Sequence, residues 1–216
     1  MGRRQAEQGE PMHAEEAKAG QVAQLVRRAR AGDHAAFDAL VEEYSPQVYN
    51  LALRITGSRE EAEDCVQEAF LRAYAALPRF RGQAAFSTWL YRVALNVACD
   101  AARRRRRAPL SVSELATGED PAPDLDRPPG EGLPPRRESP EEGAILQQRR
   151  RVILEAIQRL PEHQRAVLVL YDLQGFSYED IARITGARVG TVKSRLSRAR
   201  LALRDLLAPH LELLRE

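Results

Sequence analysis

Lys193, Ser194, Arg195, Ser197, Arg198 and Arg200 crowd one short stretch near the end of a 216-residue chain. Hydroxyls and guanidinium groups this close together can hydrogen-bond base edges while their charges neutralise phosphates. The surrounding segment, Ser177-Tyr-Glu-Asp-Ile-Ala-Arg-Ile-Thr-Gly-Ala-Arg-Val-Gly-Thr-Val-Lys-Ser-Arg-Leu-Ser-Arg-Ala-Arg200, reads as two short helices joined by a Gly-containing turn. That is the layout of a helix-turn-helix, whose second helix lies in the DNA major groove. Val192, Leu196, Ala199 and Leu203 recur three or four residues apart and form one narrow inward stripe. Ser194, Ser197 and Arg198 then point away from the core, with Thr191 and Arg195 on one flank and Lys193, Arg200 and Arg204 on the other. Charge alone would fit a solvated face on an ordinary helical hairpin. The turn, the Ser177 cap and the stripe together favour DNA binding.

A second constellation lies between Phe80 and Arg107. Asn96 and Asp100 are four apart and share one helical face. They sit beside a loop holding Phe80, Arg81 and Gly82, and ahead of the five consecutive arginines Arg103 to Arg107. An amide and a carboxylate, a flexible aromatic loop and a cation cluster suit recognition of unstacked bases. Phe80, Phe86, Trp89 and Tyr91 could equally be core aromatics, and for Trp89 and Tyr91 that reading is at least as good. Asn96 is harder to explain that way, because it stands among Val93, Ala94, Leu95 and Val97.

The elements that must position these residues are all helical. Asp33 is a plausible N-cap for a helix through Phe37, Leu40, Tyr44, Val48 and Leu53, with a bend expected at Pro46. Gly57-Ser58 stops it, and Ser58 caps the next helix with Glu61 in a capping-box arrangement. That helix buries Ala62, Cys65, Val66, Ala69, Phe70, Ala73 and Leu77. Its outer face carries Glu60, Glu61, Asp64, Gln67, Glu68 and Arg72. After Pro78 a short loop leads to a helix from about Ser87 to Arg106. Periodicity resumes near Glu141, and Pro161 is expected in the first turn of a helix that Gly175 ends. No strand-period segment of useful length appears. The expected fold class is all-α: two small helical domains joined by a flexible linker, the second containing the helix-turn-helix.

Composition fits that division. Hydrophobic residues at 44% are ordinary for a globular protein, and the net charge of +2 conceals segregation. Residues 109–140 hold eight of the thirteen prolines and seven acids against three arginines, a net of −4. Such a segment cannot pack a core and reads as an extended tether, leaving the spacing of the domains unfixed in the free protein. Residues 177–204 hold seven cations against two acids, a net of +5, so a polyanion contacted at two places is the expected partner. There is no membrane-length apolar run and no signal-peptide core, which points to the cytoplasm and to no membrane insertion. Cys65 and Cys99 read as core residues, and the four scattered histidines include no pair at a ligand spacing on one helix; neither a metal site nor a cofactor is expected. The expected boundaries are a mobile tail at 1–20, a first domain at 21–108, the linker at 109–140, a second domain at 141–208 and a tail at 209–216.

Two motif blocks carry a family resemblance. Asp64-Cys-Val-Gln-Glu-Ala-Phe-Leu-Arg-Ala-Tyr74, followed by Phe80-Arg-Gly, Phe86-Ser-Thr-Trp-Leu-Tyr-Arg92 and Asn96, resembles conserved region two of bacterial sigma factors. Leu160-Pro-Glu-His-Gln-Arg-Ala-Val167, with Gly190-Thr-Val-Lys-Ser-Arg-Leu-Ser-Arg-Ala-Arg200, resembles their region four. The pairing of only these two regions looks like the extracytoplasmic-function (ECF) group, and it covers about residues 21 to 208.

The resemblance implies a non-enzymatic alternative sigma factor that binds core RNA polymerase, directs it to promoter DNA and nucleates melting. It assigns Asp64, Gln67, Glu68 and Arg72 to the polymerase clamp helices. It assigns Phe80, Arg81, Gly82, Asn96, Asp100, Arg103 and Arg104 to the minus-ten element and a flipped base. It assigns Arg165, Thr191, Lys193, Ser194, Arg195, Ser197, Arg198 and Arg200 to the minus-thirty-five element. The linker would thread toward the polymerase cleft, and a separate anti-sigma factor is the expected controller. Ser197 is smaller than the side chain some relatives place there. The alternatives are a helix-turn-helix regulator that binds duplex DNA unaided and an enzyme using the acidic helix. The region-two block argues against the first, and the lack of a nucleophile, metal set or phosphate loop argues against the second.

Overall fold

Capping chemistry sets several of the helix ends. A computed structural model describes residues 10–107 and 140–215. Helix α1 (Glu10–Arg30) begins inside the stretch expected to be a mobile tail, and Arg28 at its end donates through Nε to Asp33 Oδ2 at 2.8 Å. The other Asp33 oxygen accepts from Ala36 N at 3.1 Å and so caps α2 (His34–Thr56). This helix runs through Pro46 without interruption. Gly57 ends it at φ +79°, donating its N–H to Leu53 O at 2.8 Å, a left-handed stop that glycine makes without penalty. Ser58 caps α3 (Arg59–Ala76) by accepting from Glu61 N. A 3₁₀ turn (Leu77–Arg79) and the loop 80–85 lead into α4 (Phe86–Arg107). These four helices close around Leu40, Leu51, Ala62, Ala69, Leu90 and Ala98, all fully buried.

The second domain starts with α5 (Pro140–Arg159). Pro161 is the cap of α6 (Glu162–Leu168) rather than a member of its first turn: its carbonyl accepts from Gln164 N and Arg165 N at 2.8 and 2.9 Å. A π-helical turn (Val169–Leu173) follows, closed by Gln174 N to Val169 O, and no sequence signal anticipated it. Ser177 caps α7 (Tyr178–Thr185) through Asp180 N at 3.1 Å, as expected, and Gly186 at φ +67° makes the turn into α8 (Val189–Leu207). The stretch expected as a C-terminal tail continues as a 3₁₀ turn (Ala208–His210) and α9 (Leu211–Leu214). Arg149 of α5 holds it by donating to Leu213 O and Arg215 O, each at 2.7 Å. The expected linker, 109–140, lies outside the described residues except for Pro140, and so does residue 108 of the expected first domain. All regular elements among the described residues are helical.

The two domains are docked, where the tether alone would have left their spacing open. Arg165 is the peg. Although charged, it is only 4% exposed, and it reaches from α6 to the end of α2, donating to Ile55 O at 2.6 Å. It also donates to Gln158 Oε1 and Leu160 O within its own domain. Gln158 in turn donates to Arg54 O at 2.6 Å across the seam. Tyr91 of α4 donates its hydroxyl to Gln174 Oε1 at 2.8 Å and packs its ring edge-on against Phe176, centroids 4.6 Å apart. Glu162 forks onto Arg103 (2.5 Å) and Arg106 (3.1 Å). Backbone carbonyls at a helix C-terminus carry partial negative charge, which is why a guanidinium can be buried at the end of α2 without a carboxylate partner.

Candidate nucleic-acid interface

The basic stretch of α8 is organised as its periodicity requires. Val192, Leu196 and Ala199 are buried against the second domain's core and Leu203 is half-buried. Lys193, Ser194, Ser197 and Arg198 are exposed on the opposite side, and Thr191 and Arg195 lie half-buried on the flank. Arg198 has no hydrogen bond or ion pair among the described residues, so its whole donor fork is available. Ser194 Oγ donates to Thr191 O at 3.0 Å.

The other flank is braced. Tyr171 and Tyr178 stack at 4.7 Å with an 18° tilt. Arg200 lies 5.2 Å from the Tyr171 ring centre and is ion-paired with Asp172, while Lys193 Nζ sits 5.2 Å from the Tyr178 ring centre. Two cations therefore bracket an aromatic pair, which fixes their positions before any ligand arrives. Arg165 stands apart from this surface. The structure places it in the interdomain seam, where burial disfavours its charge and the carbonyls described above accept its protons.

The first domain presents two further surfaces. On α3, Asp64 and Gln67 are exposed, and Glu68 pairs with Arg72 at 2.6 Å one turn on. These acids face the end of α4 across a groove of about 540 Å³ whose far wall includes Arg104 and Arg105. On α4, Asn96 is exposed, which answers the question its apolar neighbours raised: the amide faces solvent while Leu95 and Val97 face inward. Asp100 lies one turn further and pairs with Arg103 at 3.3 Å.

Arg103 thus has two anionic partners in the docked state, Asp100 and Glu162. The fork from Arg103 holds the Glu162 carboxyl below its ordinary value of 4.5. Phe80 packs against Phe86 and Trp89, with centroids 6.0 and 5.0 Å away. Gly82 turns the loop at φ +68°.

Phe80, Arg81 and Gly82 line one wall of a cavity of about 440 Å³. Its other walls include Arg79, Trp89, Arg92 and, from α7, Arg183. The sequence marked Trp89 only as an open case and did not mark Arg79, Arg92 or Arg183 as site residues. Arg92 could have been found, because it precedes Asn96 by one helical turn on the same face. Arg183 could not, since nothing local says that α7 meets α4. Of the two aromatics left open, Tyr91 is buried in the seam and Trp89 is half-buried at the cavity. Cys65 and Cys99 are buried, and burial pushes their thiols up to about 11 and about 12. No helix among the described residues is long and apolar enough to cross a membrane.

Comparison with known proteins bears on what these surfaces meet. Residues 40–108 match Sigma-70 region 2, and residues 150–203 match Sigma-70, region 4. The chain is 41% identical over 199 residues to the RNA polymerase sigma-H factor of Pseudomonas aeruginosa, covering 89% of this chain and 95% of that protein. It is 38% identical over 190 residues to the ECF RNA polymerase sigma-E factor of Escherichia coli, covering 86% and 93%. Among solved structures, CnrH in complex with the cytosolic domain of CnrY superposes with a TM-score of 0.62 at 25% identity, over 88% of this chain and 98% of that one. The sigma factor RpoE in complex with the anti-sigma factor NepR from Bartonella quintana gives 0.57 at 27% identity, over 80% and 96%.

Proposed function

Because this chain belongs to the ECF group of bacterial sigma-70 factors, and so is an alternative sigma factor that directs RNA polymerase to promoters, we propose a division of labour among its three surfaces. Asp64, Gln67, Glu68 and Arg72 on α3 dock on core polymerase. The 79–85 loop, with Asn96, Asp100, Arg103 and Arg104 on α4, holds the unpaired minus-ten strand. Thr191, Lys193, Ser194, Arg195, Ser197, Arg198 and Arg200 engage the minus-thirty-five duplex, with Ser194, Ser197 and Arg198 at base edges and Lys193 and Arg200 on phosphates. The work is done in the cytoplasm, with an anti-sigma protein as the controlling partner. Arg165 acts in domain docking and reaches DNA only if the seam opens.

The observation that carries this reading is the pairing of an exposed donor surface on α8, where Arg198 is unpaired among the described residues, with an aromatic cavity built mainly from the first domain. Two surfaces of different chemistry on two domains suit one duplex element and one melted element. Their docked spacing, however, does not suit both at once. Elements about 25 base pairs apart lie roughly 85 Å apart along B-form DNA at 3.4 Å per pair. A compact chain of this size has a radius of gyration of about 17 Å. The domains must therefore separate for both to engage, and the residues between Arg107 and Pro140 have an extended reach of roughly 105 Å. Core polymerase, by docking each domain separately, supplies the interactions that replace the seam.

Run-off transcription with purified core polymerase tests the proposal. Promoter-dependent transcripts should require this protein, and Asp64→Arg should reduce them through weakened core binding. Tight sequence-specific duplex binding by the free protein, with no transcript in the presence of core, would instead establish the unaided regulator.

A further inference from the structure

We propose that the cavity between α4 and α7 binds a free nucleoside polyphosphate while the two domains are docked. The inference rests on the docked arrangement and not on the assignment of promoter contacts. The cavity encloses about 440 Å³, within the usual range for small-molecule sites. Trp89 and Phe80, 5.0 Å apart and tilted, offer an aromatic wall on which a base can stack. Arg79, Arg81 and Arg92 come from the first domain and Arg183 from the second. The first three have no ion pair among the described residues, and no carboxylate lines the cavity.

Arg183 is held in place. It pairs with Asp180 at 3.1 Å through Nη1, and Asp180 also accepts from Thr88 Oγ1 of α4 at 3.3 Å. That bridge fixes a fourth guanidinium against the cavity and leaves its remaining donors free. Four planar forks around one space match the three or four charges of a nucleoside triphosphate and its bidentate oxygens.

A base with phosphates describes both a free nucleotide and a nucleotide of a melted strand. The docked state favours the free ligand. Arg103, which would carry a strand onward along α4, is occupied by Glu162. Arg183 reaches the cavity only when α7 rests on α4. A ligand that contacts both domains binds the docked form alone and shifts the population toward it by mass action. It would thereby hold the domains together and compete with the minus-ten strand for Phe80 and Arg81.

Trp89 is the chain's single tryptophan, so its fluorescence reports the site directly. The full-length protein, without polymerase or DNA, is titrated with GTP, with guanosine, with pyrophosphate and with a single-stranded minus-ten oligonucleotide. The proposal expects saturable quenching by GTP, and binding at least about tenfold weaker for guanosine and for pyrophosphate alone. Losing one charge-assisted contact through Arg183→Ala should weaken GTP about tenfold, and Arg92→Ala likewise. Arg183→Ala should leave oligonucleotide affinity undiminished, because a strand engages the first domain alone. Absence of saturable quenching by GTP would overturn the proposal, as would an Arg183→Ala protein that binds GTP like the parent. Neither result would touch the promoter assignment, which the run-off assay reads independently.

Discussion

Replacing Glu162 by glutamine removes one negative charge from the interdomain seam while keeping the side chain's size. In the docked state this carboxylate accepts from Arg103 Nε at 3.1 Å and Nη2 at 2.5 Å, and from Arg106 Nη2 at 3.1 Å. The arginines are about half exposed and the glutamate about a quarter exposed. Solvent screening at that exposure limits each pair to at most about 1 kcal/mol. Two pairs on one carboxylate therefore contribute at most about 2 kcal/mol to docking, and their loss should raise the open population by up to about 30-fold.

Single-molecule energy transfer between labels at Glu63→Cys on α3 and Gln147→Cys on α5 reads that population. The buried, poorly ionised thiols of Cys65 and Cys99 leave the two added cysteines as the reactive ones. Salt provides a control: going from 0.1 to 1 M shortens the screening length from about 10 to about 3 Å, which should open the parent protein more than Glu162→Gln. The pH response has a definite sign. Arg103 depresses the Glu162 carboxyl in the docked state, so its contribution is complete above the ordinary value of 4.5 and is lost as pH falls through the lower docked value. The variant should lack that component. An unchanged open population, or identical salt responses in both proteins, would refute the role given to Glu162.

Asp64→Arg should weaken core polymerase binding while changing stability by no more than about 0.5 kcal/mol, since Asp64 is exposed; parallel binding and thermal melts check both parts. Arg198→Ala should cost about 1–3 kcal/mol at one minus-thirty-five position and relax selectivity there. Lys193→Ala should weaken specific and scrambled duplexes alike and reduce the salt slope by about 1, both read in titrations with the holoenzyme. Gly57→Ala places a Cβ 2.9 Å from Gln158 Cδ and forces a left-handed backbone on alanine. It should cost about 1–2 kcal/mol, a fall of roughly 2–8 °C in melting temperature, and should also open the seam.

Much of this molecule is legible without its fold because the signals are local. Asp33, Ser58 and Ser177 announce helix starts, since a short polar side chain at that point satisfies an orphan amide from within the same turn. Gly57 and Gly186 announce stops, since only a left-handed backbone closes them. The stripe Val192, Leu196, Ala199 and Leu203 determines which α8 residues meet solvent, so the donor surface follows from spacing alone. Asn96 and Asp100 were placed on one face by the same arithmetic.

What periodicity could not supply is anything that depends on one domain touching the other. The basic run at the end of α4 reads identically whether Glu162 covers it or not. Arg165 reads as one more cation near a DNA-binding motif, yet its fate is decided by carbonyls at the end of α2, more than a hundred residues away. Arg183 becomes part of a cavity only because α7 rests on α4. Amino-acid spacing specifies which face of a helix is apolar, because that is set by the geometry of a single turn. Which charged groups share a site is set by the packing of elements distant in the chain, and the tertiary structure alone decides it.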